Sequence, residues 1–166
     1  PFYAIYPEKF NNKTNGITFR RWLMSCNPAL AARIDDAIGA GWRRDSAELE
    51  KLLAHIDDAA LLTSLAEIKR ANKRRFADWL RGHQGTVIDP DSVFDVQSKR
   101  LHEYKRQLMN ALSVVDIYFR LKNGELPNFQ PTVFLFGAKS APGYARAKAI
   151  IRYINRIAKM INNDPY

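Results

Sequence analysis

The run D-V-Q-S-K-R-L-H-E-Y-K-R-Q, from Asp95 to Gln107, concentrates Lys99, Arg100, His102, Lys105 and Arg106 in one short stretch. Val93, Phe94 and Val96 read as a strand leading into it, and the chain turns helical by about Glu103. Cations are poor company for a helix N-terminus, which carries roughly half a positive charge; each one in the first turn is disfavoured by about 0.3–1 kcal/mol. The same position suits an anion, because free backbone N–H groups and the helix dipole point at it. One reading of the cluster is therefore a phosphate site at a strand-to-helix junction. The other is a solvated basic patch tempered by Glu103.

A second stretch points to the same region. T-V-F-L-F-G-A, Thr132 to Ala138, is followed by K-S-A-P-G-Y, Lys139 to Tyr144. If both apolar runs are strands of a parallel sheet, both loops lie at the strands' carboxyl ends, where open α/β sheets bind ligands. Gly137 and Gly143 would allow close backbone approach, although glycine is also a plain turn residue. Neither G-x-G-x-x-G nor G-x-x-x-x-G-K-[ST] occurs, so a dinucleotide site and a P-loop gain no support. His55, His83, His102 and Cys26 show no metal-ligand spacing. No G-x-S-x-G elbow is present, and Asp35-Asp36 and Asp57-Asp58 read as helix-surface and cap residues.

The elements that must position these residues follow from pattern. Pro1 to Lys13 reads as an extended opening segment, and Asn15-Gly16 as a turn before Arg20, Arg21 and Trp22. There the plain reading is two surface arginines and a core tryptophan. Asn27 and Pro28 open a helix that Gly39 and Gly41 close. Asp45 and Glu48 approach a capping box for a short helix burying Leu49, Leu52 and Leu53. Asp57 caps a longer helix with Leu61, Leu65, Ile68, Asn72, Phe76 and Leu80 on one stripe, ended by Gly82 and Gly85. Its cations Lys69, Arg70, Lys73, Arg74 and Arg75 surround the helix, which favours a solvated face over a nucleic-acid stripe. Val87-Ile88 and Val93–Val96 read as short strands. A helix with Leu108, Ala111, Leu112, Val115 and Phe119 comes next, then a strand buried on both faces at Thr132–Ala138. A last helix, Gly143 to Ile161, buries Ala147, Ile150, Ile151, Ile154, Ile157 and Ile161. The order is strand, helix, strand, helix: an α/β class with a parallel sheet.

Composition sets the outer limits. The 166 residues are 46% hydrophobic and 26% charged, ordinary for a soluble globular domain with a real core. No apolar run approaches the ~20 residues of a membrane span, and no signal peptide is visible. The single cysteine excludes an internal disulfide and fits a reducing compartment, so the cytoplasm is expected. A net charge of +9 asks for anionic company. The start without Met and the ending N-N-D-P-Y read as a segment of a longer protein.

K-T-N-G-I-T-F-R-R-W, K-R-L-H-E-Y-K-R-Q and F-G-A-K-S-A-P-G-Y, in this order and separation, resemble the α-glucan phosphorylases. The likeness runs from about Phe10 to Pro165 and includes N-P-A-L and N-N-D-P. It implies a partial nucleotide-binding-like (Rossmann-like, GT-B type) domain with a parallel sheet, preceded by a helical segment. Residues 1–20 would cross over from the N-terminal domain. Residues 21–166 would open the C-terminal one, helical over 27–85 and βαβα over 86–166. The implied reaction is phosphorolysis, in which orthophosphate releases glucose 1-phosphate from α-1,4-glucan ends. Pyridoxal 5′-phosphate (PLP) takes part through its phosphate.

By the same resemblance, Asn15 and Tyr104 contact the glucosyl unit and Arg100 binds the substrate phosphate. Lys99 and Lys105 lie beside the cofactor phosphate, with Lys105 and Arg100 the catalytic pair, and Trp22 packs near the cofactor. His102, Glu103 and Lys139 support them, and Ala141, Gly143 and Tyr144 line an entrance region that binds aromatic inhibitors in animal members. The full-length family protein is expected to be a homodimer, with neither membrane nor nucleic acid among its partners. Two departures stand out. Phe19 replaces a usual proline, and the Gly-Thr-Gly-Asn-Met-Lys-type motif of the Schiff-base lysine is absent, so this chain alone is expected neither to attach PLP covalently nor to turn over. The readings from other classes are a stand-alone phosphate- or nucleic-acid-binding basic module and a structural fragment that pairs with another phosphorylase chain.

Overall fold

The structure is a computed structural model that describes residues 2–11 and 16–165. The chain divides into two units, Pro1–Phe76 and Ala77–Tyr166.

The first unit is helical. A single turn, α1 (Phe2–Ile5), and a short 3₁₀ turn precede a π-helix at Arg20–Ser25 and α2 (Pro28–Ile38). Asn27 caps α2 as expected: its Oδ1 accepts from Leu30 N at 3.3 Å, and Gly39 ends the helix at φ 79°. The same Oδ1 accepts from Asn72 Nδ2 at 3.1 Å, which explains the polar break in the stripe of α3 (Ala59–Gln84). The core here is Ala31, Ile34 and Trp42, with Phe19, Leu23 and Leu49 packed against them. Trp42 is fully buried, and its Nε1 donates to Asp35 Oδ1 at 3.0 Å. Asp35 also pairs with Arg43, which holds its carboxyl below the usual carboxylate range.

Four expectations for this unit are corrected. The opening segment, read as extended, is helical at Phe2–Ile5 and Pro7–Lys9. The core tryptophan is Trp42; Trp22 is 58% exposed on the π-helix. Ser46–His55 is a 3₁₀ helix, in which positions three apart share a ridge. Leu49 and Leu52 are thus half-buried together while Leu53 falls on the next face, 70% exposed. Finally, Asp58 rather than Asp57 caps α3, accepting from Ala60 N and Leu61 N, both at 3.0 Å.

The second unit contains β1 (Val93–Ser98) and β2 (Thr132–Gly137), paired in parallel from Val93↔Thr132 to Ser98↔Gly137. Between and after them come α4 (Gln107–Lys122) and α5 (Ala145–Asn162). This is the expected α/β order. One cluster joins Ala111 and Val114 of α4 to Ile157 of α5; another joins Leu101 to Ala147 and Ile150.

Val87 and Ile88 are irregular rather than a strand, since no neighbouring strand pairs with them among the described residues. β2 is half-buried from Thr132 to Phe136 rather than buried on both faces, and among the described residues it pairs with β1 alone. On α4 the buried line is Gln107, Ala111 and Val114, whereas Leu108, Leu112 and Phe119 are exposed. Two adjacent apolar stripes compete on this helix, and the one that meets α5 is buried.

Candidate active-site segment at the strand ends

Beyond β1 and β2 the parallel ladder continues into the two loops. Lys99 N donates to Gly137 O and Leu101 N to Lys139 O, each at 3.0 Å. Leu101 is buried against Ala147 and Ile150 and pins the first loop from below. Lys99 and Arg100, ahead of this anchor, are both exposed. Ser98, Lys99, Arg100, Gly137, Ala138 and Lys139 surround a shallow hollow of about 290 Å³. A Cβ at Gly137 would come 3.1 Å from Ser98 Oγ, so glycine permits the close strand approach. Among the described residues, the charged ends of Lys99, Arg100 and Lys139 have no carboxylate partner. Unpaired cations lining one hollow are able to receive an anion such as phosphate.

The chain next makes a 3₁₀ turn at Glu103–Lys105 and passes through Arg106 in the left-handed region, φ 63° and ψ 24°. Only then does α4 begin. This corrects the electrostatic premise: the first turn of α4 is Gln107, Leu108, Met109 and Asn110, without charge, and the cations sit ahead of the helix instead of on its dipole.

The turn is tied to the second loop through Glu103. Tyr144 Oη donates to its Oε2 at 2.7 Å and Arg146 Nη1 to its Oε1 at 3.1 Å. These bonds hold the Glu103 carboxyl below the ordinary glutamate range, Tyr144 first and Arg146 next, and the carboxylate in turn raises the Tyr144 phenol. The His102 ring lies 4.2 Å from Tyr104 and 5.3 Å from Tyr144. Tyr104 itself is 69% exposed, with Lys105 Nζ 5.7 Å from its ring centre.

Thus the fold assembles Lys99, Arg100 and Lys139 at one hollow, and His102, Glu103, Tyr104 and Lys105 on the adjoining turn. Trp22 belongs to the first unit, and Asn15 lies outside the described residues. Three side chains that motif reading passed over also act here. Gln107 Nε2 donates to Lys99 O (3.3 Å) and Arg100 O (3.2 Å), Gln97 Nε2 to Lys105 O (3.1 Å), and Asn110 Nδ2 to Gln97 Oε1 (2.9 Å). The one available signal was Gln107 itself, a polar residue in line with Ala111 and Val114.

A larger cavity of about 750 Å³ lies elsewhere in this unit, lined chiefly by aliphatic residues such as Leu80, Val114, Ile154 and Ile157. It has no cation, and Asp89 at its rim is committed to Asp91 N and Ser92 Oγ. Size does not decide here; the smaller hollow is the one lined by cations. Among the described residues no group of His, Cys, Asp and Glu could hold a metal, and no helix is long and apolar enough to cross a membrane.

Comparison with known proteins agrees with the motifs. The carbohydrate phosphorylase profile matches residues 1–166. The chain is 53% identical over 164 residues to the maltodextrin phosphorylase of Streptococcus pneumoniae, covering 99% of this chain and 22% of that protein. Identity is 48% to the brain-form glycogen phosphorylase of Bos taurus and 47% to the muscle form of Homo sapiens, each over 99% of this chain and 20% of the relative. The chain therefore spans about a fifth of the length of these curated relatives. With the profile matched from end to end, the chain belongs to the carbohydrate phosphorylase family.

Proposed function

We propose that this chain supplies part of the active site of an α-glucan phosphorylase, which uses orthophosphate to release glucose 1-phosphate from α-1,4-glucan ends. The observation that carries this reading is the convergence of Lys99, Arg100 and Lys139 on one strand-end hollow, in a chain of this family. Two phosphate groups held ~4 Å apart repel by about 4 kcal/mol per unit-charge pair in a moderately polar site. Several fixed cations offset that repulsion, and fixed charge acts most strongly on a transition state.

Arg100, whose planar fork matches two phosphate oxygens, binds the substrate phosphate. Lys105 neutralises charge as the phosphate moves, and Lys99 shares with it the phosphate of a bound PLP. Tyr104 and Asn15 hydrogen-bond the glucosyl unit, Trp22 packs against the cofactor, His102 and Glu103 hold the loops, and Lys139 adds supporting positive charge at the hollow. The donors at the hollow suit the phosphate end of PLP, while the lysine that would attach its ring is not in this sequence. When bound, PLP supplies a phosphate that exchanges a proton with the substrate phosphate. Residues 1–20 act as the crossover from the N-terminal domain and 21–166 as the first part of the C-terminal domain. The complete protein works as a cytoplasmic homodimer, and this piece alone does not turn over.

The complete enzyme, loaded with PLP and given maltodextrin and orthophosphate, should release glucose 1-phosphate. If orthophosphate leaves the glucan untouched, the reading fails.

A further inference from the structure

We infer that Gln107, with Gln97 and Asn110, positions the phosphate-binding cations: these amides clamp the basic segment from its back and fix the separation of its two cationic stations. The inference deepens the phosphorolytic reading above and rests on it.

The basic segment is held on one side by the ladder, where Lys99 N and Leu101 N are spent on the backbone following β2. The carbonyls of Lys99 and Arg100 need a separate donor, and Gln107 Nε2 serves both. Both partners are acceptors, so the amide can face them only with its NH₂ end. Gln107 is 1% exposed and is the first residue of α4, so its side chain is fixed by both the helix and the packing.

At the other end of the segment, Lys105 O accepts from Gln97 of β1, and Gln97 is itself held by Asn110, one turn along α4 from Gln107. Lys99 and Arg100 on one side, and Lys105 on the other, are thereby referred to the same first turn of the same helix. A phosphate pair bound between such stations depends on their spacing, and misplacement of about 1 Å is enough to weaken a reacting geometry severely.

Packing alone does not account for Gln107. It occupies the line of Ala111 and Val114, where an aliphatic side chain would fill the space, and its Oε1 is buried without a partner among the described residues. A buried orphan acceptor is unfavourable. Holding two carbonyls of the cationic segment gives the amide a use that offsets it.

The test uses the complete, PLP-loaded enzyme. Gln107→Met keeps an unbranched side chain of similar size and removes the donor. Its KM for orthophosphate should rise roughly threefold to tenfold, the effect of losing such a bond, while KM for maltodextrin stays within about twofold. Asn110→Ala should move the phosphate KM the same way by less. Because Asn110 acts through Gln97, Gln97→Met/Asn110→Ala should match Gln97→Met alone. If Gln107→Met fails to fold, the Gln97 and Asn110 variants carry the same test. Lowered thermal stability with an unchanged phosphate KM in the folded variants overturns the clamp. An unsubstituted enzyme that releases no glucose 1-phosphate overturns the function itself, and the clamp's role with it.

Discussion

Glu103 and Tyr144, 41 residues apart in sequence, meet through a 2.7 Å hydrogen bond donated by the phenol, with Arg146 on the other carboxylate oxygen. The bond joins the loop after β1 to the loop after β2 and turns two neighbouring strand ends into one surface.

That link has a defined pH window. The Glu103 carboxyl is depressed in the folded state, by Tyr144 first and Arg146 second, so its contribution is present above the unfolded glutamate pKa and lost as pH falls through the folded one. Tyr144 is raised, so its contribution is present below the unfolded tyrosine pKa and lost as pH rises through the folded one. A ¹³C titration of the Glu103 carboxyl should give a midpoint below that of an ordinary glutamate, and Tyr144→Phe should move it upward. An unmoved midpoint in Tyr144→Phe would remove the link.

The tryptophans should behave oppositely. Trp42 is fully buried and Trp22 largely exposed. Trp42→Ala should cost ~3–5 kcal/mol of unfolding free energy, and Trp22→Ala should change it by no more than about 0.5 kcal/mol. Denaturant melts of the two variants check this; equal losses would contradict the core assignment.

Arg106 is the described non-glycine residue with positive φ, at the hinge between the basic turn and α4. Arg106→Gly or Arg106→Asn should leave stability nearly unchanged, since both residues tolerate this conformation. A β-branched Arg106→Val should cost about 1–3 kcal/mol. Denaturant midpoints separate the cases, and a harmless valine would refute the left-handed assignment.

At the start of α3, Asp58 makes the two capping bonds that sequence assigned to Asp57. Asp58→Ala should lower the melting temperature and Asp57→Ala should not; the reverse order would restore the sequence reading.

Much of the frame was legible because its signals are local. Asn27, Pro28 and Gly39 mark α2, the apolar run at Thr132 is β2, and the spaced isoleucines are α5. The convergence of Lys99 and Lys139 was also foreseeable, from the rule that parallel strands present their loops at one edge.

What escaped depended on partners. Val87 and Ile88 have strand propensity but no neighbouring strand among the described residues. The choice between two stripes on α4 is made by α5. Arg106 delays the helix by taking a conformation that its residue type does not announce. Gln97, Gln107 and Asn110 have no motif of their own; their role appears only when the backbone carbonyls they hold are located.

The central claim is that the strand-end cations bind phosphate, and Arg100 tests it most directly. In the complete, PLP-loaded enzyme, the initial rate of glucose 1-phosphate release should be measured against orthophosphate concentration for Arg100→Ala and Arg100→Lys. Arg100→Ala should lose kcat/KM for orthophosphate by about 10²-fold or more, with Arg100→Lys recovering only part, because a point charge replaces a two-pronged donor. Phosphorolysis by Arg100→Ala at the unsubstituted rate and phosphate KM would contradict the account.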